Sequence, residues 1–235
     1  AFLPMYQLSY FPNNQNVNGV QAYDKEVDAL NQHTKADKVY IVCSKEQLDE
    51  NGSMKIFSMI DKLSAELSVA SDNETKKRLL MRRAIAHSVL RDFEAAISDF
   101  TYYISLDDKN SLAYWQRAVC QAEMDEFSKA EGKGVLNIHS AEADFSDAIR
   151  QNSNNAYIYY NRGNLHAGRN ELSKAIDDYT IALRIDNRLA EAYYNRGIAR
   201  AKSGNKQTAI QDLSKAGELG LYDAYSVIKR LNKSK

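Results

Sequence analysis

The sequence predicts an all-α fold in which pairs of helices stack on one another as an α-solenoid. Three observations favour this fold class. A 34-residue pattern recurs along most of the chain, only 2 prolines and 10 glycines occur in 235 residues, and 44% of residues are apolar. Few helix breakers favour helices, and this apolar fraction suffices for a sizeable core and excludes wholesale disorder.

The repeat is clearest in two stretches, Asn155–Asp186 and Leu189–Gly220, which align at an offset of 34 residues. Two earlier copies begin at Lys77 and Ser111, the second with eleven extra residues between its two halves. The recurring positions are a large residue (Leu80, Tyr114, Tyr159, Tyr193), a small one (Ala84, Ala118, Gly163, Gly197), an alanine (Ala96, Ala141, Ala175, Ala209) and a second large one (Phe100, Phe145, Tyr179, Leu213). Small residues let two antiparallel helices approach closely, and stacked copies bury the remaining apolar faces.

This pattern resembles the tetratricopeptide repeat from Lys77 to about Gly220. The resemblance implies a right-handed α-solenoid of about four helical hairpins. No copy has the terminal proline of the family, and an arginine replaces the leucine before each small residue. The expected organisation is an irregular N-terminal region (1–72), repeats over 73–220 and a C-terminal capping helix (221–235). The four repeats are expected at 77–110, 111–155 (with an insertion near 131–140), 156–189 and 190–220.

The N-terminal region (1–72) does not continue the repeat. Val20–Asn31 and Ser53–Val69 are predicted helices, the latter with Ile56, Met59, Ile60, Leu63 and Leu67 on one face. Lys38–Cys43 is β-branched and strand-like, and Ala1–Asn18 is expected to be extended. The N-terminal region is interpreted as a cover over the apolar side of the first repeat or, alternatively, as a linker from an upstream array of repeats. In the capping helix, Tyr225, Ile228 and Leu231 are expected to cover the last repeat.

Composition excludes several function classes. Lys plus Arg and Asp plus Glu both number 31, so the electrostatic footprint of a nucleic-acid binder is missing. No apolar run is long enough to span a membrane. No common catalytic or phosphate-binding motif occurs, and two distant cysteines form no metal or disulfide framework. His87 and His166 occupy one repeat position, which favours packing. We therefore expect that the protein is not an enzyme and that it binds no cofactor or metal. Its localisation cannot be read from the sequence.

Each copy of the repeat carries one arginine and one aspartate at fixed positions: Arg83, Arg117, Arg162 and Arg196, with Asp99, Asp144, Asp178 and Asp212. This strict pairing predicts a repeated salt bridge, with Arg162 close to Asp144 or Asp178. The alternative is a basic stripe that binds phosphate groups, but such a stripe would not need an accompanying aspartate in every copy.

The insertion in the second copy contains Gly132 and Gly134, which should interrupt any helix, and Ser140 is the predicted N-cap of a helix over Ala141–Arg150. An exposed loop carrying Val135, Leu136 and Ile138 is expected. These apolar residues either pack on a neighbouring repeat or form a partner-contacting lip.

In the tetratricopeptide family the first helices line a concave groove. The resemblance implies that this groove binds a peptide, and the C-terminal half is the predicted place, because its residues offer amides for backbone hydrogen bonds and rings for stacking. Candidate partner-binding residues are Trp115, Tyr157, Tyr160, Asn161, Asn164, Tyr194, Asn195 and Lys229. Asn164, Asn195 and Lys229 match positions of a carboxylate clamp found in the family, but Tyr160 and Tyr225 replace its lysines, so the full clamp is absent. Tyr160 and Tyr194 could instead pack between repeats.

The predicted function is a non-catalytic protein–protein interaction scaffold that binds a peptide or protein partner in this groove. The alternative is a structural spacer or self-assembly module of a larger multi-repeat protein, and the oligomeric state is left open. Replacing Asn161 and Asn195 by alanine is expected to leave folding nearly intact and to weaken partner binding by ~1–3 kcal/mol.

Overall fold

The computed structural model describes residues 1–11, 25–32, 34, 37–43, 48–130 and 138–233. These residues form two compact units. The C-terminal unit contains residues 154–233 together with Ala1–Tyr6, and the N-terminal unit contains residues 7–11 and 25–153. The first six residues are therefore part of the unit at the other end of the sequence.

The N-terminal unit holds six helices and one two-stranded sheet within its described residues. The elements are β1 (Gln7–Ser9), α1 (Lys25–Asn31), β2 (Tyr40–Val42), α2 (Glu50–Val69), α3 (Asn73–Val89), α4 (Phe93–Leu106), α5 (Ser111–Ala130) and α6 (Ile138–Gln151). The strands pair antiparallel with Leu8 opposite Ile41, which confirms a strand within Lys38–Cys43. Each helix from α2 to α6 packs on the next one.

Helix α2 begins at Glu50, three residues before the predicted start, because the Asp49 side chain accepts a hydrogen bond from the Gly52 N–H (2.6 Å) and caps the helix. Its predicted apolar face is confirmed: Ile56 and Leu63 are buried, and Met59, Ile60 and Leu67 are half-buried. This face packs on α3, in the place that the second helix of a preceding repeat would take.

The insertion lengthens α5 to 20 residues, whereas the corresponding helix of the next copy has 13. The predicted N-cap at Ser140 is wrong, because α6 starts at Ile138 and Ser140 lies inside it. Ile138 is 34 residues before Leu172, the first residue of the equivalent helix in the next copy, so the hairpin register sets this start. Gly132, Gly134, Val135 and Leu136 lie outside the described residues.

The C-terminal unit consists of α7 (Ala156–Gly168), α8 (Leu172–Ile185), α9 (Ala190–Lys202), α10 (Lys206–Glu218) and α11 (Asp223–Lys233), each packed on the next. The turns inside the hairpins share one backbone device in both units. Arg91, Asn170 and Gly204, at equivalent positions, have φ of 63°, 61° and 85°. The following residue donates its N–H to a carbonyl five residues back, a Schellman-type ending that stops the first helix of these three hairpins.

Gly163 and Gly197 lie where the two helices of a hairpin are closest, as the sequence predicts. A Cβ atom at Gly163 would lie 2.7 Å from the Tyr179 ring, and one at Gly197 would lie 2.9 Å from Leu213 Cγ. The four second-helix alanines of the repeat are fully buried. Cys120 is also buried in the core, as expected, and burial raises the pKa of its thiol to about 12.

Helix α11 covers the last hairpin mainly with Ala224 and Val227, which are not among the predicted covering residues, and with the half-buried Ile228 and Leu231. The expectation for Tyr225 is wrong in part, because this side chain is 48% exposed. Its ring nevertheless contacts α10, since a Cβ at Gly217 would lie 2.5 Å from it.

Candidate functional site

The four Arg–Asp pairs are formed in every repeat. Each arginine donates two hydrogen bonds to its aspartate at 2.7–2.9 Å, as Arg83–Asp99, Arg117–Asp144, Arg162–Asp178 and Arg196–Asp212. The partners are 16 residues apart in three copies and 27 in the second copy, the difference being the eleven-residue insertion. The salt-bridge prediction is confirmed, and these guanidinium groups do not form a stripe open to phosphate.

The same arginines also join successive hairpins. Arg196 donates to Thr180 Oγ1 on the preceding second helix (3.0 Å), and Arg117 donates to Thr101 Oγ1 in the same manner (3.0 Å). Arg83 donates to Ser64 Oγ of α2 (3.0 Å), which shows that α2 acts as a second helix for the first repeat. Tyr114, Tyr159 and Tyr193 lie beneath their arginines at 5.6–5.8 Å. These arginines therefore have a structural role: they hold the two helices of a hairpin together and join one hairpin to the next.

The equivalent histidines also have a structural role. His87 Nδ1 lies 3.1 Å from the Asp92 carboxylate, and His166 Nδ1 lies 2.7 Å from the Glu171 carboxylate, so each histidine bonds the acid five residues later. Hydrogen bonds from Lys174 and from His166 lower the pKa of Glu171. Among the described residues no cluster of His, Cys, Asp and Glu is arranged to hold a metal ion.

The groove of the C-terminal unit, which we call the C-terminal groove, is lined by α7 and α9. Its residues are Tyr157, Tyr160, Asn161, Asn164, Glu191, Tyr194, Asn195 and Ile198. The chain's own residues Ala1–Tyr6, hereafter the N-terminal segment, lie in it and bury Tyr160, Asn161 and Asn195 completely. Six of the eight predicted partner-binding residues therefore surround a stretch of extended chain.

Two asparagines hold the main chain of this segment in the same way. The Leu3 N–H donates to Asn195 Oδ1 (2.7 Å), and Asn195 Nδ2 donates back to the Leu3 carbonyl (3.2 Å). The Tyr6 N–H donates to Asn161 Oδ1 (2.8 Å), and Asn161 Nδ2 donates back to the Tyr6 carbonyl (2.7 Å). Each side-chain amide thus pairs with both polar groups of one residue, as a neighbouring β-strand would.

A second set of hydrogen bonds fixes the orientation of these groups. Asn164 Nδ2 donates to the Leu3 carbonyl (3.0 Å), and its Oδ1 accepts from the Tyr179 hydroxyl (2.7 Å) and from Asn195 Nδ2 (2.8 Å). The Tyr160 hydroxyl donates to the Pro4 carbonyl (2.9 Å) and accepts from Asn195 Nδ2 (2.9 Å). The amide orientations therefore follow from a connected network, which makes the site rigid.

Side chains of the segment are also contacted. The Tyr6 ring lies against the rings of Tyr157 (4.7 Å between centroids) and Tyr160 (5.2 Å). Burial raises the pKa of the Glu191 carboxyl, and a hydrogen bond with Tyr6 offsets part of that rise. Phe2 and Leu3 pack on the apolar cluster that contains Tyr194, Ile198 and Leu213, so Tyr194 also serves packing between helices.

Two predicted residues lie apart from this groove. Trp115 is fully buried in the N-terminal unit on α5, and Lys229 is exposed on α11. Gln116 and Arg82 of the N-terminal unit, which occupy the repeat position of Asn161 and Asn195, lie on the predicted groove surface but are not among the predicted partner-binding residues. Gln116 Oε1 accepts from the Leu8 N–H (2.9 Å). Arg82 donates to the carbonyls of Asp37 (2.8 Å) and Leu30 (3.0 Å) and to Thr34 Oγ1, so in both units this repeat position binds chain that precedes the repeats.

Comparisons with known proteins agree with the solenoid fold. The profile of the TPR repeat family matches residues 167–204. The fold is similar to a crystal structure of MamA (20% identity, TM-score 0.61, covering 77% of this chain and 99% of that chain). It is also similar to a thermophilic TPR protein from Thermus thermophilus (15%, 0.56, 77% and 95%) and to MamA from Desulfovibrio magneticus (17%, 0.52, 70% and 94%). No curated protein matches the sequence.

Repeated hairpins around a peptide-sized groove define a helical-repeat scaffold. Residues 167–204 match the tetratricopeptide repeat profile, and the chain has the all-α solenoid fold of tetratricopeptide repeat proteins. This fold is typically a non-catalytic scaffold for protein–protein interaction. None of the described helices combines the length and the apolar character needed to cross a membrane.

Proposed function

We propose that the C-terminal groove binds an extended peptide segment of a protein partner. The observation that supports this proposal is the pairing of Asn161 and Asn195 with both main-chain groups of one residue each. Such pairing requires an extended ligand but no particular side chain at the paired residue. The main-chain pairing therefore provides a part of the affinity that does not depend on sequence, and the surrounding rings add contact area.

The spacing of the two asparagines suits an extended chain. They are one repeat apart, on α7 and α9, which contact each other, and they hold Leu3 and Tyr6, which are three residues apart. Three residues of extended chain span about 10 Å, and packed helices lie about 8–10 Å apart. Stacking of the hairpins thus places one amide at every third residue of a bound peptide.

Self-assembly is the second candidate function, because the present occupant of the groove belongs to this same chain. The N-terminal segment of a second copy could make the same hydrogen bonds to Asn161 and Asn195. Sedimentation at increasing protein concentration separates the two functions. Reversible dimerisation that disappears on replacing both asparagines would favour self-assembly, whereas a monomer at all concentrations would favour a separate partner.

The test of peptide binding needs an empty groove in the full-length chain. Leu3→Glu with Tyr6→Glu, hereafter the release variant, places carboxylates in the apolar cluster and beside Glu191, and we expect the segment to leave. Peptides selected on this variant from a displayed random library are then titrated by calorimetry. Adding Asn161→Ala and Asn195→Ala is expected to weaken their binding by ~1–3 kcal/mol, because two buried main-chain pairings are lost.

Asn187→Ala with Asn232→Ala is the matched control, since both side chains are exposed. This pair should leave the affinities unchanged. If the release variant carrying Asn161→Ala and Asn195→Ala binds the selected peptides as tightly as the release variant itself, the groove is not the peptide site. In the wild type, Asn161 and Asn195 also hold the N-terminal segment. Replacing both by alanine in the wild type should therefore loosen this segment, so folding is no longer expected to stay nearly intact.

A further inference from the structure

We infer that the partner peptide of the C-terminal groove carries the pattern aromatic–Leu–Pro–any residue–Tyr, and that Phe2–Tyr6 competes with it inside the chain. This inference rests on the proposed function, since it specifies the ligand of the same groove. The N-terminal segment is the one ligand whose contacts are known in detail. The groove selects side chains at four of the five positions from Phe2 to Tyr6.

Leucine at the second position is selected by an apolar site. Leu3 and Phe2 pack on the cluster of Tyr194, Ile198 and Leu213, in which Leu213 is fully buried. The main chain of Leu3 is already paired with Asn195 and Asn164. A charged or amide side chain here would therefore lose its hydration without gaining a described polar partner. The Phe2 ring lies 4.6 Å from Lys202 Nζ, which favours an aromatic residue at the first position.

Proline at the third position suits the hydrogen bonds around it. Pro4 has no N–H to satisfy, and its carbonyl accepts from the Tyr160 hydroxyl (2.9 Å). A proline also restricts the residue before it to extended conformations. Leu3 needs that conformation to present its N–H and its carbonyl to the same asparagine side chain. Proline thus prepares the peptide for the groove and reduces the entropy lost on binding.

Tyrosine at the fifth position is selected by both its ring and its hydroxyl. The ring contacts the rings of Tyr157 and Tyr160, and the hydroxyl forms a hydrogen bond with the Glu191 carboxyl. A phenylalanine would keep the ring contacts but leave the carboxyl without this donor. Sites that are built around a hydroxyl discriminate strongly against ligands that lack it.

Competition follows from the covalent connection between segment and groove. Because the segment and the groove belong to one chain, binding of the segment is intramolecular, and its effective concentration is of the order of millimolar where the intervening chain holds it at the groove. A free peptide with the same contacts cannot displace it at micromolar concentration. A natural partner must therefore make additional contacts, or the segment must first be released.

The experiment uses a fluorescein-labelled peptide, AFLPMYQ, which copies the first seven residues, titrated by fluorescence anisotropy. The release variant should bind it at least about 100-fold more tightly than the wild type does. Alanine for Leu, or phenylalanine for Tyr, in the peptide should weaken binding about 10-fold or more, and a scrambled peptide should not bind. Ala1→Glu with Met5→Glu adds the same charge at exposed or partly exposed positions and should behave as the wild type.

Each outcome supports or overturns the inference. A scrambled peptide that binds as tightly as AFLPMYQ overturns the pattern but leaves peptide binding intact. If library peptides bind in a manner that depends on Asn161 and Asn195 but AFLPMYQ does not bind, the inferred pattern is overturned while the proposed peptide binding stands. Wild type and release variant binding equally would overturn competition. If the release variant misfolds by circular dichroism, the milder Leu3→Ser with Tyr6→Ser replaces it, with the same expected order of affinities.

Discussion

Asp212→Ala is expected to lower the free energy of unfolding by about 3–5 kcal/mol, because it removes a buried carboxylate and leaves two mostly buried guanidinium groups without a counter-charge. The Asp212 carboxylate is only 6% exposed and binds two guanidinium groups. It accepts from Arg196 at 2.8 and 2.9 Å and from Arg200 at 2.8 Å. Urea denaturation at neutral pH, followed by far-UV circular dichroism, measures the loss.

The same helix offers the control. Lys215 and Glu218 form an ion pair at 3.0 Å whose side chains are 46% and 60% exposed. Glu218→Ala should therefore cost only about 0–1 kcal/mol, since water solvates the remaining lysine. Equal small losses for both variants would contradict a structural role of the Arg–Asp pairs and would require water to reach Arg196 after the substitution.

Features that recur within the 34-residue unit could be predicted from the sequence. The Arg–Asp pairs, the close approach at Gly163 and Gly197 and the buried alanines all depend on contacts inside one hairpin or between adjacent ones. Four copies sample the same geometry, so a residue type that is retained in each copy reveals its contact. The positions of Asn161 and Asn195 on the groove follow from the same register.

The occupant of the groove could not be predicted in this way. Leu3 and Asn195 are 192 residues apart, and an extended segment has no periodicity that would indicate its partner. The same limitation applies to Arg82, whose carbonyl acceptors, Leu30 and Asp37, lie outside the repeats. Helix α2 lacks the repeat signature because it is a single helix, and signature residues mostly mark contacts between the two helices of a hairpin.

The error at Ser140 has a different cause. A serine before an apolar helix is a good N-cap by local chemistry. In this hairpin, however, α6 begins at Ile138, in register with α8, so packing of the hairpin outweighed the local preference. Boundaries set by tertiary contacts are therefore better located by alignment of the copies than by capping residues.

Gly163→Val is expected to destabilise the C-terminal unit by about 1–3 kcal/mol and to loosen the N-terminal segment as well. A side chain at this position meets the Tyr179 ring, whose nearest atoms would lie 2.7 and 2.9 Å from the new Cβ. The ring cannot move aside easily, because Tyr179 is fully buried, packs on Tyr160 (5.8 Å) and donates to Asn164 (2.7 Å). Displacing it would disturb the asparagine that holds the Leu3 carbonyl.

Gly168→Val is the matched control for this substitution. Gly168 ends the same helix, α7, and a Cβ there would meet nothing within 4 Å. We expect its melting temperature to stay near that of the wild type, whereas Gly163→Val should lower it by several degrees. Hydrogen exchange measures the second effect, since the Leu3 and Tyr6 amides should exchange faster in Gly163→Val only. Equal melting temperatures for both variants would mean that the helices can separate enough to admit a side chain. Unchanged exchange in a destabilised variant would show that Tyr179 does not support the groove.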